Sequence, residues 1–507
     1  MRVDSRPAAA IQPGTVGLKA ARPPAAFILL ATLCSVLVHG YHPFVEDAEI
    51  YVPGIKKLLH PALYPHNQGF FASHAGMTLY PNLVAWSSRL AHLSLEWTLL
   101  AWHFICIFVL LLGCWKLGMV CFRSERAAWA GSLLVAGLLT IPVAGTALYI
   151  MDQYLNPRSF STATAVWIAA SALERKYARA TIWIGLTALV HPLMAVFSLG
   201  FILFLIARDK IQSPQIFAGL LLPAALFPPV TSAYKRAIEA HSYFFILRWE
   251  WFEWLGIFGP MLLFWWFGSW AKRRQLTALH RLCLTTIVFC SACLVAALVI
   301  TVPPQFVRFA ELQPMRGLLM AYIFLFVVGG GLLGEYVLKA QVWRWLAVFL
   351  PIALGMFYAQ RQLFPATQHL EFPGRSTANS WIETLLWIRS NTPPDAYFAL
   401  DPEHMRAPGE DQHGFRAIAE RSMLADAVKD SGAVTMFPAL AQTWQEQVDA
   451  QRGWEDFRRK DFENLRDRFG VTWLVIEKAQ TAAMDCPYHN SEIFVCRIPA
   501  ENSLKGQ

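Results

Sequence analysis

The chain has 507 residues, of which 55% are hydrophobic and 15% charged, and its mean hydropathy is +0.38. Soluble globular chains carry about 25% charged residues, so a wholly water-soluble protein is excluded and a polytopic, α-helical membrane protein is expected. The formal net charge of +8 lies mostly in short basic turns between apolar runs, which ties it to membrane topology rather than to a nucleic-acid partner.

Residues 1–23 form a polar leader with Arg2, Arg6, Lys19 and Arg22, expected on the cytoplasmic side. The apolar run 24–40 is followed by no clean small-residue cleavage site and reads as an uncleaved first transmembrane helix. The first outer loop, 41–76, carries Glu46, Asp47, Glu49 and Tyr51. An amphipathic stretch follows, with Lys56 and Lys57 expected at lipid-headgroup level. Residues 77–93 read either as a further span or as a surface helix, and Arg89 with His92, and His74 just before the stretch, favours the surface.

Spans are then expected at 97–121, 127–150 and 157–173. The run 180–205 is too long for one ordinary span and breaks at His191-Pro192, so it reads as two short helices meeting near the outer surface. Further spans are expected at 216–230, 256–270, 282–302, 317–338 and 345–358. The total is about eleven, and Lys/Arg clusters mark each inner turn. An odd count places the tail, 364–507, outside, which sets the transmembrane domain at 24–363.

The tail is charged and reads as a small α/β domain. Trp381, Leu385, Trp387 and Ile388 suggest an amphipathic helix stopped by Asn391-Thr392-Pro393-Pro394. Residues 397–400 read as a strand, 415–428, 434–448 and 462–469 as helices, and 471–476 as a buried strand pairing with 493–498. Cys486 and Cys496 flank this hairpin; an outside location permits a disulfide between them, and geometry decides it. The other seven cysteines lie in or beside apolar runs and read as small core residues.

Four outer stretches carry the candidate chemistry. Glu46, Asp47 and Glu49 follow the first helix directly, where a lipid-linked substrate would place its headgroup. A carboxylate there can act as general base, or Asp47 and Glu49 can hold a divalent cation such as Mg or Mn; the plainer reading is a solvated acidic loop. Asp152 and Arg158 are ionisable groups at the membrane edge, around an Asn-Pro turn that also reads as a helix cap. His191 stands at the break between the short helices, as a cavity group or a structural histidine. Arg308, Gln313 and Arg316 can grip a phosphate, unless Arg316 simply snorkels. A weaker cationic cluster is Tyr234, Lys235, Arg236, His241 and Arg248, beside Trp249, Trp251 and Trp254.

This layout resembles the GT-C glycosyltransferases, through its acidic first outer loop with Asp47 and Tyr51, its uneven spans and its outer α/β tail. The resemblance implies a polyprenyl-phosphate-linked sugar as donor and Asp47, with Glu46 or Glu49, as the catalytic or metal-binding centre; the short basic leader and compact loops favour a bacterial inner membrane, on whose outer face the acceptor is expected. No WWDYG-like motif occurs in the tail, which argues against an oligosaccharyltransferase. Two other classes stay open: a transporter or flippase, and a non-catalytic envelope assembly protein of the same layout.

Overall fold

The computed structural model describes residues 25–210, 230–375, 378–477 and 484–499. The leader 1–23 and almost all of the expected span 216–230 lie outside the described residues. The described part is mostly helical, with a small C-terminal sheet.

In chain order the helices are α1 (Ala25–His39), α2 (Ala48–Leu59), α3 (Gly69–Met77), α4 (Tyr80–Ala91), α5 (Leu95–Phe122), α6 (Glu125–Gly137) and α7 (Pro157–Leu173). Then come α8 (Tyr177–Val190), α9 (Pro192–Lys210), α10 (Ser232–Glu239), α11 (Trp251–Arg273), α12 (Thr277–Thr301), α13 (Leu318–Leu332) and α14 (Val342–Leu363). Among the described residues, four stretches are long and apolar enough to cross a membrane: Leu95–Phe122, Thr277–Thr301, Pro304–Leu338 and Val342–Leu363. Shorter apolar helices are Ala25–His39, Tyr177–Val190 and Pro192–Arg208.

Several sequence expectations are sharpened by local chemistry. The break at His191-Pro192 is present, because Pro192 has no N–H and holds His191 out of the helical region, at φ −153° and ψ 84°. Residues 77–93 are not one long helix: α3 ends before an extended Thr78, and α4, at 12 residues, reaches only about 18 Å, short of a membrane core of about 30 Å. The expected span 127–150 is helical only to Gly137. Residues 138–156 instead fold as a buried hairpin, with Val143 N–H donating to Leu148 O and Pro142 bridging Tyr149. Gly145 at its tip lies under the Trp249 ring, where a Cβ would come within 2.4 Å of the indole. Small residues likewise bring α6 against α13; a Cβ on Gly131 would meet Val327 O at 2.6 Å, and one on Gly330 would meet Ala130 O at 2.6 Å.

The tail contains α15 (Ser380–Asn391), β1 (Tyr397–Ala399), α16 (Phe415–Ala419), β2 (Ser422–Met423), α17 (Asp430–Met436), α18 (Ala441–Ala450), α19 (Arg459–Phe469), β3 (Trp473–Glu477), β4 (Asp485–His489) and β5 (Ile493–Arg497). The sheet order is β2-β1-β3-β5-β4; β1 runs parallel to β2 and β3, and β5 antiparallel to β3 and β4. The expected pairing of β3 with β5 is present, with Leu474 opposite Cys496. The expected helix 415–428 is corrected to the single turn α16, because Glu420 takes a left-handed φ of +55° and the chain turns into β2. The expected helix 434–448 is corrected to α17 and α18, split at Phe437-Pro438, where the proline has no N–H to give.

Cys486 and Cys496 are joined by a disulfide across β4 and β5. Alkylation of the folded full-length protein should therefore leave these two thiols unmodified until a reductant is added, as read by peptide mass spectrometry. Modification of both without reductant would contradict the bond.

Candidate functional site

The site is built from the first loop inward. Residues 41–46 are not a solvated loop. Tyr41 N–H donates to His369 O, Glu371 N–H to Tyr41 O, His42 N–H to Gln153 O, and Glu46 N–H to Gln412 O, so the segment is laced into the tail and the hairpin. Buried His42 and His413 both contact the Glu371 carboxylate, at 2.7 Å and 3.1 Å. Glu46 has a left-handed φ of +55°, and the turn it makes starts α2 with Asp47 as its N-cap.

Helical geometry then sorts the acidic residues. Positions four apart share a helix face, whereas positions two apart point to nearly opposite sides. Asp47 and Tyr51 accordingly line one cavity together, and Glu49 turns away under the tail. There Arg416 N–H and Ala417 N–H each donate to the Glu49 carboxylate at 3.0 Å. The Arg416 guanidinium reaches Glu49 at 3.3 Å and grips Asp430 bidentately at 3.0 Å and 2.6 Å. Asp47 and Glu49, the pair expected to hold a cation, thus do not converge on one point.

Lys56 and Lys57, expected at headgroup level, are engaged otherwise. Buried Lys56 donates to Ala417 O and Glu420, both at 2.7 Å, and Lys57 folds back onto Leu63 O at 2.7 Å. The tail thus covers Lys56, and Lys57 is turned onto the carbonyls of its own loop.

Three cavities meet at Asp47. One of about 730 Å³ runs under the tail past Glu46, His241, Arg406 and Gln412. A second, of about 200 Å³, has apolar walls from Met77, Val190, Leu193, Phe244 and Met436, and holds Tyr51, Arg158, His191, Gln313 and Arg316. A third, of about 290 Å³, adds Asp152 and Lys429 beside Arg158 and Arg316. Of the residues singled out from sequence, Glu46, Asp47, Tyr51, Asp152, Arg158, His191, Gln313 and Arg316 therefore gather around one space. Glu49 and Arg308 do not line it; the Arg308 guanidinium lies 5.9 Å from the Phe309 ring. From the cationic cluster at 234–248, only His241 reaches these cavities, while Arg236 pairs with Asp449 at 2.5 Å.

The charges around this space are mostly matched. Arg158 donates to Asp152 at 2.7 Å, and Asn156, the N-cap of α7, donates to the same carboxylate oxygen at 2.7 Å. The Asn-Pro turn is thus both a helix cap and a cavity wall. Lys429 contacts Glu46 and reaches Asp47 at 3.1 Å. Burial opposes the charge on Asp47, but Lys429, Arg158 and Arg316 outweigh it and hold the carboxyl well below the usual carboxylate range. Asp47 is thereby a stable anion, with a third of its side chain exposed. Among the described residues, no carboxylate pairs with Arg316, and Arg316 Nε, Gln313 Oε1 and His74 Nδ1 are buried without a hydrogen-bond partner. An unpaired guanidinium in a semi-apolar pocket suits an anionic headgroup.

No family model matches the chain, and no curated protein matches it. The residues above therefore carry the functional reading alone.

Lys429, and the cavity-lining Tyr154 and Tyr243, carry no signal in the sequence. Lys429 lies 382 residues from Asp47, and only the folded tail brings it there.

The buried Arg416 cluster makes stability pH-dependent. Burial, aided by Asp426 and opposed by Arg416, pushes Glu49 up to about 8. A raised carboxyl favours the folded state while it is protonated, so this contribution is complete at pH values below that of the unfolded carboxyl and is lost as pH rises through about 8. Thermal stability of the full-length protein in detergent should therefore fall from mildly acidic pH to about pH 8, and Glu49→Gln should flatten that slope. Arg416→Met should cost about 3–5 kcal/mol, because it strands buried carboxylates; an unchanged melting temperature would contradict this account.

Proposed function

We propose that the chain is a glycosyltransferase that moves a sugar from a polyprenyl-phosphate donor to an acceptor hydroxyl at the outer face of a bacterial inner membrane. The observation that carries this reading is the position of Asp47, between an apolar-walled pocket with an unpaired arginine and a larger polar cavity under the tail. An amphiphilic donor and a hydrophilic acceptor need those two environments on either side of one carboxylate.

In this reaction the acceptor oxygen attacks the anomeric carbon and the bond from that carbon to the phosphate oxygen breaks. The electron pair leaves with the polyprenyl phosphate, whose charge Arg316 receives, with Gln313 alongside. The hydroxyl proton passes to the Asp47 carboxylate as the new bond forms. Because Asp47 is a weak base, it orients the hydroxyl in the ground state and takes the proton late. Direct displacement inverts the anomeric centre. The Lys/Arg distribution and the Cys486–Cys496 disulfide support a tail outside the cytoplasm.

A non-catalytic assembly role has one observation in its favour: Lys429 ties up Asp47 and lowers its basicity. Transfer in membranes supplied with a polyprenyl-phosphate sugar separates the two. Asp47→Asn should lower kcat by about 100-fold or more. Arg316→Met should raise the donor KM by about 10-fold or more, the value of a charge-assisted hydrogen bond. Full transfer by Asp47→Asn would overturn the enzymatic reading of this residue.

A further inference from the structure

Paired outer-loop carboxylates are a natural seat for a divalent cation, which binds oxygen ligands from one or two carboxylates and keeps several waters. In this chain that seat is contested. Asp47 and Glu49 diverge, and the two carboxylates that do converge, Glu46 and Asp47, converge on the ammonium of Lys429. Among the described residues, no three His, Cys, Asp or Glu side chains are grouped to hold a metal ion.

We propose that Lys429 is a built-in cation that takes the place of a divalent ion between Glu46 and Asp47 and positions Asp47 for its role. The inference rests on Asp47 being the carboxylate of the site.

Three observations carry it. The Lys429 side chain is 14% exposed, and the Glu46 and Asp47 side chains are 38% and 33% exposed, so the lysine is more deeply buried than either acid it contacts. Its backbone is fixed: Lys429 N–H donates to Asp426 Oδ1 at 2.5 Å, and the same oxygen accepts from Val428 N–H at 2.8 Å and Asp430 N–H at 3.3 Å. Asp426 in turn stands 3.8 Å from Arg416, the residue that anchors α2 through Glu49. The root of Lys429 and the helix bearing Asp47 are therefore tied to one buried cluster, and the ammonium is presented at a set position.

The test is manganese binding, followed by electron paramagnetic resonance on the full-length protein in detergent micelles. The wild type and Asp47→Asn should bind Mn²⁺ equally. Lys429→Met should gain a saturable site, and the double variant Lys429→Met/Asp47→Asn should lose it. Mn²⁺ held by the wild type and released in Asp47→Asn would overturn the proposal, as would a Lys429→Met protein that gains no site. If Lys429→Met does not fold, the comparison of wild type with Asp47→Asn still decides it, and Lys429→Arg, which keeps the charge, should behave as the wild type. The readout needs no substrate, so absence of sugar transfer would sink the proposed function while leaving this result to stand on its own.

Discussion

The buried guanidinium of Arg416 is the constraint on which the arrangement depends. It takes Glu49 from the first loop and Asp430 from the tail at once, with all three side chains nearly inaccessible to solvent. Such a cluster gives little net stability over a well-packed apolar core, but losing one partner is expensive, so it acts as a registration device. With Glu49 fixed, the rotation of α2 is fixed, and Asp47 and Tyr51 can point only toward the cavity. Lys56 on Glu420 and Ala417, and the contacts of His42 and His413 with Glu371, repeat the tie on either side.

The loop and the tail are therefore one piece of machinery. The tail contributes Lys429 and one wall of the polar cavity, and the first loop contributes Asp47, Glu46 and Tyr51. The remaining wall comes from irregular joints between helices: the 138–156 hairpin, the His191-Pro192 break, and the left-handed Gln313 between the 3₁₀ segments Pro304–Leu312 and Pro314–Gly317. Irregular backbone among apolar helices leaves polar groups that must be satisfied, and here those groups surround a cavity.

Much of this was legible in the sequence because the signals are local. The helix break at 191–192 follows from proline, the β3 strand from a β-branched and aromatic run, and the candidate residues from charged side chains between apolar segments. The failures are equally physical. The apolar run 127–150 has the composition of a span, yet Pro142 and Gly145 make it a hairpin packed under Trp249, and hydropathy cannot tell buried protein from lipid. Lys56 looked like a headgroup lysine because its true partner, Glu420, lies 364 residues away. Glu49 and Asp47 looked equivalent until the helical phase of α2 was known. Lys429 gave no signal, since an ion pair between distant segments leaves no periodicity.

The central claim is that the pocket bounded by Arg316, His191 and Tyr51 receives a polyprenyl phosphate beside Asp47. Photolabelling of the full-length protein in membranes with a diazirine-bearing polyprenyl phosphate, mapped by mass spectrometry, tests it most directly. The account predicts adducts concentrated at 190–193, 311–316 and 436, competed by unlabelled polyprenyl phosphate and diminished by Arg316→Met. Labelling spread along the apolar helices, undiminished by competitor or by that substitution, would contradict it.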